Sequence, residues 1–94
     1  MKFADIKFNE TMTPPGVQGL IKFKDYELSI VQNNVSYGGK MDLYEIGVFK
    51  DGNLVELPGI TEPGDSVKGF LTEEGVEAII KKMHLVSGAD PEAI

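Results

Sequence analysis

The chain contains no arginine, no cysteine and no tryptophan, and its only histidine is His84. Each absence removes a class of chemistry. Without cysteine there is no disulfide, no thiolate nucleophile and no thiolate metal ligand. Without arginine, the planar fork that grips phosphate and guanine through two parallel hydrogen bonds is missing. A lone imidazole with no thiol falls short of the three or four ligands a zinc ion takes. No stretch approaches the ~20 apolar residues that cross a bilayer. The opening Met1-Lys2-Phe3-Ala4-Asp5 lacks the apolar run of a secretory signal. A soluble protein of the cytoplasm, with no membrane partner, is the expectation.

Hydrophobic residues make up 41% of the 94 residues, enough for one globular domain over 1–94 and too few for two cores. A chain of this size buries roughly 60–65% of its unfolded surface, so a second copy would add useful burial. Its net charge is −6, from 15 acidic side chains against 9 basic ones, all lysine. Phosphate neutralisation is the main source of affinity for nucleic acid, so this balance argues against direct nucleic-acid binding. It suits a basic partner protein.

The patterning predicts an α+β fold: an antiparallel β-meander of four to five strands with one C-terminal amphipathic helix packed on one face. Residues 1–16 read as an N-terminal strand (Phe3 to Phe8) and a loop that Pro14-Pro15-Gly16 closes to regular structure. Residues 17–57 read as two hairpins. Across Lys24-Asp25, a two-residue turn sets Phe23 opposite Tyr26, Ile21 opposite Leu28 and Lys22 opposite Glu27. Across Asp51-Gly52, Val48 meets Val55 and Ile46 meets Leu57, while Phe49 and Leu54 pair on the other face. Residues 58–71 form a loop and a short strand. The helix spans 72–87, with Thr72 as N-cap, a Leu71–Val76 staple, a buried stripe of Val76, Ile79, Ile80, Met83 and Val86, and Gly88 as its stop. A tail occupies 88–94.

Catalytic residues do not emerge from this pattern. His84 falls at the edge of the helix stripe with no serine or carboxylate placed beside it. Glu62, Asp65, Glu73 and Glu74 are oxygen donors of the kind hard cations take, but their spacing matches no calcium loop, and the helix-start pair is explained by the helix dipole. Neither a metal nor a cofactor is expected. Gly75 in the first helical turn points to close packing rather than to a phosphate seat, because Glu73 and Glu74 repel anions there.

The segment between the hairpins is the candidate binding site: Asn33, Asn34, Ser36, Tyr37, Gly38, Gly39 and Lys40, followed by Tyr44. It joins amides, a hydroxyl, stacking faces, a cation and paired glycines that let a ligand approach the backbone. A solvated connection of this length is the competing reading. On the sheet face away from the core, Leu20, Val31, Phe49 and Leu54 form a candidate oligomer surface.

Several segments carry a resemblance: 23–31 (Phe23-Lys24-Asp25-Tyr26-Glu27-Leu28-Ser29-Ile30-Val31), Ser36-Tyr37-Gly38, Tyr44 to Val48, Gly59-Ile60-Thr61 and Asp65 to Glu74. Across roughly 17–84, the chain resembles small, mostly uncharacterised phage-encoded α+β proteins. That resemblance implies a phage or prophage origin, expression in a bacterial host cytoplasm, and no assigned active site. The expectation is a non-enzymatic binding protein acting on a host component, such as a counter-defence inhibitor. The alternatives are an oligomeric sponge sequestering a small nucleotide signal, with Tyr26, Tyr37 or Tyr44 stacking on the base, and a minor virion structural or assembly protein. A metal-assisted hydrolase built on the four carboxylates is the enzymatic reading, and it is disfavoured.

Overall fold

Alternation of apolar and polar residues builds an antiparallel sheet in the computed structural model, which describes residues 1–12 and 14–88. Its strands are β1 (Phe8–Met12), β2 (Pro15–Phe23), β3 (Tyr26–Asn33), β4 (Tyr44–Lys50), β5 (Asn53–Val55) and β6 (Val67–Leu71), followed by the helix α1 (Glu73–Ser87). Strands β1 to β5 form a meander, and β6 returns to pair with β4. The α+β architecture expected from the sequence is therefore present, with six strands among the described residues.

Both central hairpins turn in the expected register. Phe23 faces Tyr26, Ile21 faces Leu28 and Lys22 faces Glu27. Val48 faces Val55 and Phe49 faces Leu54. In the second turn, Asp51 and Gly52 have φ of 54° and 80°, the two left-handed residues that match the twist of a hairpin. Lys24 takes φ 55° in the first turn without help from glycine.

Three segments depart from the expectation. Phe3–Asp5 is a 3₁₀ turn, and the first strand lies further along, at Phe8–Met12. Pro14-Pro15-Gly16 does not end regular structure: Pro15 opens β2 and faces Met12 of β1. Proline is tolerated at the first residue of a strand because the ladder does not yet need its N–H. Gly16 is required there, since a Cβ would overlap the Gln32 carbonyl oxygen.

The second hairpin is also shorter than expected. It ends at Val55, and Ile46 faces Lys68 of β6 rather than Leu57. Leu57 is diverted into a turn: its N–H donates to Thr61 Oγ1 (3.0 Å), and its carbonyl accepts from the N–H groups of Ile60 (2.9 Å) and Thr61 (3.0 Å). That turn folds Ile60 into the core at 1% exposure. Pro58, lacking an N–H, could not have continued the ladder.

The helix starts and stops as its caps dictate. Thr72 Oγ1 accepts from the Gly75 N–H at 3.1 Å, and Gly88 closes the last turn at φ 73°. Val76, Ile79, Ile80 and Met83 are buried against Ile21, Phe23, Leu28, Ile30, Ile46 and Val48, fixing which sheet face the helix covers. Burying each such side chain is worth about 1.5–3 kcal/mol. Val86 does not belong to the stripe and is 47% exposed. The buried face ends at Met83; one helical turn later the half-buried Ser87 continues its line, and Val86 falls on the flank. The Glu77 carboxylate accepts the Phe3 N–H, tying the N-terminal turn to the helix. Of the expected tail, Gly88 is the helix cap, and residues 89–94 lie outside the described residues.

Candidate functional site: an aromatic ridge between two clefts

The loop after β3 is built from its own hydrogen bonds. Asn33 Oδ1 accepts from the N–H groups of Val35 (2.9 Å) and Ser36 (2.7 Å). Ser36 Oγ accepts the Asn33 N–H at 3.0 Å and donates to the Asn33 carbonyl at 3.1 Å. The chain then turns at Gly38 (φ 92°) into a single 3₁₀ turn, Gly39–Met41. A Cβ on Gly39 would overlap the Asn33 carbonyl oxygen, so only glycine fits. Asn33 and Gly39 are thus the frame of the loop. Tyr37 is what the frame presents.

Two further bonds fix Tyr37. Its N–H donates to Glu45 Oε1 at 2.7 Å, and its carbonyl accepts the Phe70 N–H at 3.1 Å. The second bond comes from an irregularity in β6. Tyr44 faces Leu71 and Ile46 faces Lys68, so Gly69 and Phe70 together stand opposite Glu45 alone, a β-bulge. Gly69 presses its Cα face on Tyr37, where an added Cβ would overlap Tyr37 Cβ. Phe70 takes φ 56°, a left-handed value rarely adopted by a bulky residue.

The outcome is a stacked pair of large rings in solvent. The Tyr37 and Phe70 centroids are 6.5 Å apart with planes inclined at 23°. Tyr37 is 57% and Phe70 59% exposed. This ridge divides two open clefts that share both rings. One, of about 230 Å³, is also lined by Asn34, Ser36, Gly38, Lys40 and Met41. The other, of about 300 Å³, is also lined by Glu62, Asp65, Val67 and Gly69. The first cleft carries a cation and the second two carboxylates, so the ridge separates opposite charges.

Of the residues expected from the sequence, Asn34, Ser36, Tyr37, Gly38 and Lys40 come together at this ridge. Tyr44 lines neither cleft. It joins an aromatic cluster with Phe3 (5.1 Å between centroids) and Phe8 (5.8 Å), part of the packing around the core. Burial, reinforced by the Glu73 and Asp42 carboxylates, raises its phenol above the ordinary value of 10.0. Sequence reasoning missed Phe70. The signal was available: an isolated glycine inside a strand pattern, Val67-Lys68-Gly69-Phe70-Leu71, marks a bulge or a close backbone approach.

The remaining candidates are dispersed. Leu20, Val31, Phe49 and Leu54 lie on the sheet face opposite the helix, with Leu20 53% and Leu54 45% exposed. The imidazole of His84 packs edge-on against Phe23 at 5.0 Å, and neither ring nitrogen has a hydrogen-bond partner among the described residues. No nucleophile or orienting carboxylate among them is bonded to it, as base catalysis would need. Glu62 and Asp65 line the acidic cleft, whereas Glu73 and Glu74 occupy the first helical turn. No three carboxylate or imidazole groups converge as a metal site among the described residues. Nor is any helix among them long and apolar enough to cross a membrane.

No protein-family model matches the chain, and neither the curated proteins nor the solved structures give a significant match to it.

Proposed function

We propose that the chain is a non-enzymatic binding protein that engages a partner protein through the Tyr37–Phe70 ridge. One observation carries the reading: two adjacent large aromatic rings are held in solvent by a backbone that resists retracting them. A left-handed conformation costs a residue with a Cβ about 1–2 kcal/mol. Leaving a phenylalanine unburied forgoes up to about 1.5–3 kcal/mol more. Strain of this kind is characteristic of sites with a task. Exposed aromatics are the usual anchors of protein interfaces, since they bring large area with little rotamer entropy to lose.

The resemblance to phage-encoded proteins directs the search for that partner to bacterial host components, with inhibition of a host defence protein as the leading role. A nucleotide sponge would use the same ridge for base stacking, with its phosphate beside Lys40 in the other cleft. Against it stand the lack of arginine and the net charge of −6, which disfavour an anion and favour a basic partner protein.

The test is affinity capture from bacterial extract with the wild-type chain and a Tyr37→Ala/Phe70→Ala variant of matched melting behaviour. A protein retained saturably by the wild type and lost from the variant is the expected result. Equal retention by both, or no saturable retention by either, overturns the proposal.

A further inference from the structure

The two clefts flanking the ridge are not equivalent, and their chemistry names what the partner inserts. We infer that the cleft lined by Tyr37, Glu62, Asp65, Val67, Gly69 and Phe70 receives an arginine side chain of the partner protein. This inference rests on the binding function proposed above and specifies the recognised group. The cleft offers two aromatic rings and two carboxylates, and no cation among the described residues lines it. A cation over an aromatic face is held by the ring quadrupole, most strongly where water is displaced. Guanidinium satisfies both parts of the lining at once, because its plane stacks on a ring while its fork donates to a carboxylate. An ammonium group can do only one of these well.

The cleft has a volume of about 300 Å³. That lies at the small end of the range for ligand pockets and is room for one side chain. Asp65 keeps its place through its own backbone: Oδ1 accepts the Ser66 N–H at 2.7 Å, and its N–H donates to the Glu62 carbonyl at 2.9 Å. That leaves the outer oxygen of Asp65 and the exposed Glu62 carboxylate for an incoming donor. The net charge of −6 draws a basic partner towards this surface from a distance. These 94 residues contain no arginine, so a second copy of them cannot supply the group.

The experiment is a titration of the intact protein followed by the aromatic resonances of Tyr37 and Phe70. Three short Gly-Ser peptides that differ only in a central Arg, Lys or Gln are compared, with AMP as an anionic planar probe. The arginine peptide should shift both rings, the lysine peptide should bind several-fold more weakly, and the glutamine peptide at least tenfold more weakly. Glu62→Gln/Asp65→Asn, which retains the Ser66 bond through the amide oxygen, should weaken arginine binding at least fivefold. Indifference to the Arg-to-Gln change, an unaltered response in the carboxamide variant, absence of any shift, or a larger response to AMP each overturns the inference. If capture of a protein still depends on Tyr37 and Phe70 in that case, the binding function stands and only the assignment of arginine falls.

Discussion

Replacing Gly69 by alanine drives a methyl group into the loop that carries Tyr37. The new Cβ would stand 2.3 Å from Tyr37 Cβ and 3.0 Å from the Tyr37 carbonyl oxygen. An ordinary carbon–carbon contact is about 3.5–4.0 Å, so the bulge and the loop must separate by more than about 1 Å. That movement stretches the Phe70 N–H···O=C Tyr37 bond, now 3.1 Å, beyond useful range. Losing the bond costs about 1 kcal/mol, and forcing extra volume into a tight contact costs about 1–3 kcal/mol. A destabilisation near 3 kcal/mol, about the middle of that sum, lowers Tm by roughly 10–25 °C in a domain of this size. Gly52→Ala provides the control. Gly52 has φ 80° with no described atom within 4 Å of an added Cβ. Only the backbone cost of about 1 kcal/mol applies there. Calorimetry or circular-dichroism melts of both variants decide the matter. If Gly69→Ala lowers Tm no more than Gly52→Ala does, the loop and the bulge are not locked together, and the rigid ridge loses its basis.

Asn33→Ala removes an oxygen that accepts two backbone N–H groups. Denaturant unfolding should show a loss of about 1–2 kcal/mol. Ile60 is a loop residue only 1% exposed within the core, and Ile60→Ala should cost about 2–5 kcal/mol by the same assay. Ultraviolet titration should find the Tyr44 phenol ionising above 10.0, and Tyr44→Phe should remove that late phase. The raised folded value means that protonated Tyr44 favours the fold. Its contribution is complete below pH 10.0 and is lost as pH climbs through the higher folded value. Wild-type stability should therefore fall more steeply in that window than that of Tyr44→Phe.

The elements most legible in the sequence were those whose information is local. Asp51-Gly52 between alternating runs fixes a hairpin, and Thr72 with Gly88 brackets a helix, because each signal acts over a few residues. What was illegible depends on partners distant in the chain. Nothing near Ile46 shows that Lys68, rather than Leu57, will face it, because β5 and β6 compete for one strand edge and a turn at Leu57 decides the outcome. Pro14-Pro15 read as a terminator because local rules discourage proline in strands, whereas the position of Pro15 at the very start of β2 removes the objection. Half of the ridge was readable for the same reason. Tyr37 sits in a loop whose amides, paired glycines and tyrosine stand out in the sequence, while Phe70 is turned outward because two residues of β6 oppose one of β4.

The claim that the Tyr37–Phe70 ridge is the partner-binding surface is tested most directly by photo-crosslinking in bacterial cells. Benzoylphenylalanine would be placed singly at Phe70, at Leu54 on the open sheet face, and at Leu85 on the helix, all three exposed in the isolated chain. A discrete heterologous adduct is expected from position 70 and none from positions 54 and 85. An adduct to another protein from position 54 or 85, with none from position 70, would contradict the claim.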